Sequence, residues 1–103
     1  MRQRMTATGE RSMKAIGERL RVTREALGLS QATFAKAAKV SASAYNQYER
    51  GRMRPAIDQA IRLCEGHKLT LDWIYRGDPS GLKYSLADQI IRLRRQGNST
   101  SRK

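Results

Sequence analysis

Apolar residues recur at helical spacing in six segments of the chain, and no segment shows the strict alternation of a half-buried strand. The first segment has four apolar positions separated by charged residues, namely Met13, Ile16, Leu20 and Leu27. Ser12 precedes it and can cap a helix, and Gly28 follows it, where a left-handed residue can end one. The pattern therefore predicts an all-α chain that begins with this helix.

Two short helices are expected next, and each follows a serine that can cap its N-terminus. Ser30 precedes QATFAKAA, in which Phe34, Ala35 and Ala38 share one face. Ser41 precedes ASAYNQYER, which Gly51 closes. Two short capped helices joined by a tight turn have the layout of a helix-turn-helix, although this layout alone is a weak signal.

A fourth helix is expected after the basic loop RGRMR, where Pro55 occupies a position suited to a helix start. Its predicted apolar stripe consists of Ile57, Ala60, Ile61 and Cys64. Gly66 precedes His67, so this helix is expected to end about one turn early. Thr70 then can cap a short fifth helix, LDWIYRG.

A turn-rich link, DPSG, separates these five helices from a sixth. Ser85 with Asp88 forms a weak capping-box start, and Leu86, Ile90 and Leu93 follow at i, i+4 and i+7. This amphipathic helix is expected either to dock on the five-helix unit or to mediate self-association. The sequence divides into a flexible basic arm at 1–11, a domain at 12–78, a linker and C-terminal helix at 79–96, and a basic tail at 97–103.

The charge of the chain points to a polyanionic partner. Lys and Arg number 21 against 9 Asp and Glu, which gives a formal net charge of +12 in 103 residues. Nucleic acid is the first partner to consider at such a charge. Five of these cations and no acidic residue lie in residues 92–103, so a non-specific nucleic-acid binder driven by its tails is one possible interpretation.

Other classes of function find little support in the composition. No apolar run is long enough for a spanning helix or a signal peptide, so a soluble cytoplasmic protein is expected. One cysteine and one histidine cannot supply an internal disulfide or a zinc site made by this chain alone. Because no nucleophile motif or Gly-rich phosphate loop is present, we expect no enzymatic activity and no cofactor.

The segment GLSQATFAKAAKVSASAYNQYERGRMRP, followed by LDWIYRG, resembles the lambda repressor and Cro-like (Cro/C1-type) helix-turn-helix family over residues 16–77. In that pattern the inward positions of the two short helices are filled by Phe34, Ala35, Ala38, Tyr45 and Tyr48. Two departures stand out, because Lys39 and Lys68 occupy positions where the family commonly has glycine. The resemblance implies a compact five-helix DNA-binding domain that binds double-stranded DNA as a homodimer.

The second short helix is then the recognition helix, which enters the major groove with its outer, N-terminal face toward the bases. The expected base-reading residues are Ala42, Ser43, Asn46 and Gln47. Asn and Gln amides can pair with adenine, Ser can exchange one hydrogen bond, and the Ala methyl can contact a thymine methyl. The expected phosphate-binding residues are Gln31, Arg50, Arg52 and Arg54.

These features favour a sequence-specific transcriptional regulator that acts, repressor-like, by occupying an operator in the cytoplasm, associated with the nucleoid when bound. Besides the non-specific binder, one alternative remains open. The same fold can serve as a protein-interaction module, such as an antitoxin that binds a partner protein, with DNA binding secondary.

Overall fold

The chain folds into helices joined by short turns, and a computed structural model describes residues 11–101, with side chains through Gln96. The α-helices are α1 (Met13–Ala26), α2 (Gln31–Ala37), α3 (Ala42–Glu49), α4 (Ile57–His67) and α5 (Tyr84–Ser101). A π-helix (Asp72–Arg76) and a 3-10 turn (Pro79–Gly81) lie between α4 and α5. These residues contain no strand, and the all-α prediction is confirmed.

Serine side chains begin the first three helices, as the sequence predicts. The hydroxyls of Ser12, Ser30 and Ser41 accept hydrogen bonds of 3.0–3.1 Å from backbone N–H groups three residues ahead. Each serine thereby satisfies one of the N–H groups that a helix start leaves without an intrahelical partner. The Thr70 hydroxyl does the same for the π-helix, where it accepts from the Trp73 N–H at 3.0 Å.

Two lysines occupy the left-handed backbone positions where the family that the sequence resembles commonly has glycine. Lys39 follows α2 with φ 59°, and Lys68 ends α4 with φ 58°. A side chain in this conformation costs on the order of 1 kcal/mol relative to glycine. Both turns therefore keep their expected geometry without the residue that adopts it most easily.

Helix α4 differs from its prediction at its end and in its buried face. It continues to His67, because the His67 ring stacks on Phe34 with centroids 3.8 Å apart and donates from Nε2 to the Phe34 carbonyl at 2.8 Å. Gly66 remains helical, and a Cβ there would lie only 3.0 Å from the Ala37 carbonyl oxygen. The glycine thus permits close packing of α4 on the end of α2.

The predicted apolar stripe of α4 is only partly correct. Ala60 is buried and Cys64 is half-buried, but Ile57 and Ile61 are 53% and 39% exposed. Leu63, which the stripe omitted, is fully buried. Because His67 contacts Phe34, the inward face of α4 consists of positions 60, 63 and 67. These positions share one side of a helix at i, i+3 and i+7.

Helix α1 packs against α3 through backbone as well as side chains. A methyl group at Gly17 would overlap the carbonyl oxygens of Tyr48 and Glu49 at the end of α3. On another side of α1, the Trp73 indole N–H donates to the Thr23 hydroxyl at 2.9 Å, and Arg19 donates to the Ile74 carbonyl. Helix α1 therefore connects α3 to the π-helix.

Helix α5 docks on the same core, so the structure favours intramolecular docking over self-association for its apolar stripe. Leu86 and Ile90 are buried in the core, and Leu93 is half-buried. The Arg94 guanidinium lies 5.4 Å from the Trp73 ring centroid and forms an ion pair with Glu18 at 2.7 Å. The helix begins at Tyr84, one residue before the predicted cap, so Ser85 lies inside the helix and does not cap it.

The predicted terminal segments lie largely outside the residues that the structure describes. Of the basic arm at 1–11, only Arg11 belongs to the described residues, and the side chains of the basic tail at 97–103 lie outside them. The division of the chain at residues 78 and 96 stays a prediction.

Candidate nucleic-acid interface

Helix α3 is oriented by two tyrosines that anchor its inner face. Tyr45 is fully buried and Tyr48 is 3% exposed, and their rings meet edge to face. The Tyr45 hydroxyl donates to the Leu20 carbonyl of α1 at 3.3 Å. Burial raises the pKa of both tyrosines, so their hydroxyls remain neutral donors at physiological pH. This anchoring leaves the opposite face of α3 toward solvent.

The four predicted base-reading residues lie together on that outward face. Ala42 and Ser43 are exposed in the first turn of α3, and Asn46 and Gln47 are half-buried in the second. The arrangement places a methyl, a hydroxyl and two amides side by side, which are groups able to contact base edges. Their contact with bases stays a prediction.

Three polar side chains connect this face to the core. The Asn46 amide nitrogen donates to Gln31 Oε1 at 3.0 Å, and Gln31 Nε2 donates to Glu49 Oε1 at 2.9 Å. Arg24 of α1 holds Glu49 from the other side, with Nε donating to Oε2 at 2.7 Å and a second N–H donating to Oε1 at 3.2 Å. Gln31, predicted to bind phosphate, thus also contacts a predicted base reader.

The Glu49 side chain is only 5% exposed. Its carboxylate is nevertheless ionised at physiological pH. Burial by itself would raise the pKa of Glu49, but hydrogen bonds, led by those from Arg24, outweigh burial and lower it. An ionised carboxylate has acceptors and no donor, so its neighbours must donate to it.

The predicted phosphate-binding arginines follow α3 directly. Arg50, Arg52 and Arg54 are all exposed. The backbone N–H of Arg52 donates to the Gln47 carbonyl at 3.0 Å, which holds the loop against the end of α3. One guanidinium N–H of Arg54 donates to the Arg11 carbonyl at 2.6 Å, and its other N–H groups can still reach a phosphate.

Sequence reasoning missed two cations near the start of α3 and the Arg24–Glu49 pair. Lys39 precedes α3 by three residues and is exposed, and Arg62 of α4 donates to the Lys39 carbonyl at 3.3 Å. They extend the basic surface beyond the arginine loop. No local spacing could have found the Arg24–Glu49 pair, because its members are 25 residues apart.

Comparison with known proteins identifies the class of this fold. The family model of the helix-turn-helix domain matches residues 15–73, which is more than half of the chain and includes most of α1 and all of α2 to α4. The chain therefore belongs to the helix-turn-helix domain family, and the resemblance seen in the sequence is confirmed. No curated protein and no solved structure matches it.

Membership of this family places the chain among DNA-binding regulators. Such regulators are typically not enzymes. Within residues 11–101, none of the helices combines the length and hydropathy needed to cross a bilayer. The same part of the chain has no group of three or more His, Cys, Asp and Glu side chains placed to hold a metal.

Proposed function

We propose that this protein binds a specific sequence in double-stranded DNA through α3 and acts as a repressor-like regulator by occupying its operator. The observation that carries the proposal is the outward face of α3, where Ala42, Ser43, Asn46 and Gln47 stand at the surface while both tyrosines are buried. In the major groove this face reads bases, and the helix dimensions suit that groove.

The exposed cations and Gln31 supply the part of binding that does not depend on sequence. Arg50, Arg52 and Arg54 contact phosphates on one side of α3. Gln31 contacts a phosphate from the first position of α2, where backbone N–H groups also face the anion. These contacts fix the register of α3 in the groove, and catalysis has no part in this activity.

The short recognition helix implies binding as a homodimer. Eight residues of α3 rise about 12 Å, which corresponds to roughly three or four base pairs. Two-fold dimers read two such half-sites about 34 Å apart. The principal extents of the structure, 35 × 30 × 26 Å, let two copies lie side by side at that separation.

Selection of bound sequences from random duplex DNA tests the proposal. A palindromic consensus bound by two chains supports it, and Gln47→Ala should blur that consensus. Tyr84→Ala, at a site 86% exposed on α5, is the control that should leave the consensus unchanged. Weak, uniform enrichment would instead indicate a non-specific binder, and absence of DNA binding would favour a protein-interaction module.

A further inference from the structure

We propose that Glu49 and Gln31 form a positioning relay that fixes the direction of the Asn46 amide, so that Asn46 selects adenine at the base it contacts. The relay consists of Arg24, Glu49, Gln31 and Asn46, joined by the hydrogen bonds described above. It deepens the proposed function and rests on it, because Asn46 must reach a base for its direction to matter.

The direction of the relay follows from the donors and acceptors available at each step. The Glu49 carboxylate only accepts, so Gln31 must turn its amide nitrogen toward Glu49. That orientation leaves the Gln31 carbonyl oxygen toward Asn46. Asn46 must then turn its own nitrogen toward Gln31, and neither amide can reverse without placing two donors or two acceptors against each other.

The start of the relay is held firmly enough to impose this direction. Arg24 binds both oxygens of Glu49, and its third contact is to the Leu29 carbonyl at 2.9 Å. The side chains of Arg24 and Glu49 are only 16% and 5% exposed. A charge-assisted pair with little solvent access is stronger than one between neutral groups and resists rearrangement.

The fixed direction determines which hydrogen-bonding groups Asn46 has left for a base. Gln31 takes one of the two N–H donors of Asn46, so one N–H and the carbonyl oxygen remain. Adenine offers a matching N6 donor and N7 acceptor in the major groove, whereas guanine offers two acceptors there. A guanine at this position would therefore place its O6 against the Asn46 oxygen.

Substitution of Glu49 tests the relay through base preference. The contacted base is located as the position whose preference disappears in Asn46→Ala. In the wild type, adenine should be preferred over guanine there by roughly five- to a hundredfold. In Glu49→Gln the neutral amide can donate as well as accept, so Asn46 can reverse and the ratio should fall toward one.

A matched control separates positioning from stability. Ile90→Ala weakens the fold at a core position of α5 and leaves every residue of the relay in place, so it should preserve the adenine preference. Gln31→Leu keeps the Arg24–Glu49 pair and removes the middle of the relay, so it should lose the preference even if Glu49→Gln fails to fold. Binding constants for each folded variant on duplexes differing only at this base measure the ratio.

The outcomes distinguish the relay from the proposed function. If no specific sequence is bound, the proposed function itself fails. If a specific site is bound but guanine is preferred at the Asn46 position, or Gln31→Leu retains the full adenine preference, the relay is refuted alone. Equal loss of preference in Ile90→Ala and Glu49→Gln would also overturn it, because reduced stability alone would then explain the effect of Glu49→Gln.

Discussion

Replacing Ile90 by alanine should lower the free energy of unfolding far more than the same change at its neighbour Ile91. Ile90 is 2% exposed in the core, whereas Ile91 is 50% exposed. Three carbon groups are removed, at about 0.8 kcal/mol each when buried. A residual cavity adds to this, so Ile90→Ala should cost about 2–4 kcal/mol. At Ile91 the partial burial is offset by the better helix propensity of alanine, and the change should cost less than about 1 kcal/mol.

Thermal and denaturant unfolding, followed by the fluorescence of Trp73, measure both variants. Trp73 is the sole tryptophan and lies beside Arg94 of α5, so its emission reports docking of that helix. For a domain of this size the Ile90→Ala midpoint should fall by roughly 10–25 °C. Equal losses in the two variants would refute the reasoning. A different result would refute it as well, namely a midpoint that rises with protein concentration in the wild type but not in the variant. Such a result would mean that α5 is buried by self-association.

Three further expectations follow from the structure. Gln47→Ala should cost roughly 1–3 kcal/mol of binding free energy on the selected site and little on random DNA. Arg52→Ala should weaken binding to both DNAs and reduce the slope of log affinity against log salt concentration by about one. Binding titrations at several salt concentrations measure both effects. Lys68→Gly should stabilise the fold by up to about 1 kcal/mol in thermal unfolding, because glycine adopts the left-handed conformation without strain; an unchanged or lower midpoint would contradict this. The pKa of Glu49 lies below its ordinary value of 4.5, so the stability that it contributes is fully present above that pH and is lost as pH falls through the lower folded value. Unfolding of Glu49→Gln should accordingly depend less on pH in this acidic range, and an unaltered pH slope would show that Glu49 contributes nothing there.

Local signals in the sequence predict most helix boundaries correctly. Caps such as Ser30 and Ser41 act within three residues, so they can be recognised without knowledge of the fold. The inward face of α4 was harder to predict. Ile57 and Ile61 are more apolar than His67, yet stacking on Phe34 turns His67 inward. Such a contact joins residues 33 apart, and apolar spacing within one helix carries no information about it.

The same distinction applies to the candidate DNA interface. The outward position of Ala42 and Gln47 could be predicted, because buried tyrosines on the same helix determine its opposite face. The bond between Asn46 and Gln31 could not be predicted, since the two residues are 15 positions apart and lie on different helices. Only the packing of α2 against α3 shows that these two amides also bind each other.

On the proposed function, the hydrogen bond from Asn46 to Gln31 limits how readily this protein can evolve a preference for a new DNA sequence. Ala42 and Ser43 are exposed, so substitutions there should change sequence preference with little loss of stability. A mutation at Asn46 instead leaves the Gln31 carbonyl without this donor and disturbs the partners of a buried carboxylate. We expect adaptation to begin at the first two positions, and a change at Asn46 to need a second substitution at Gln31 or Glu49.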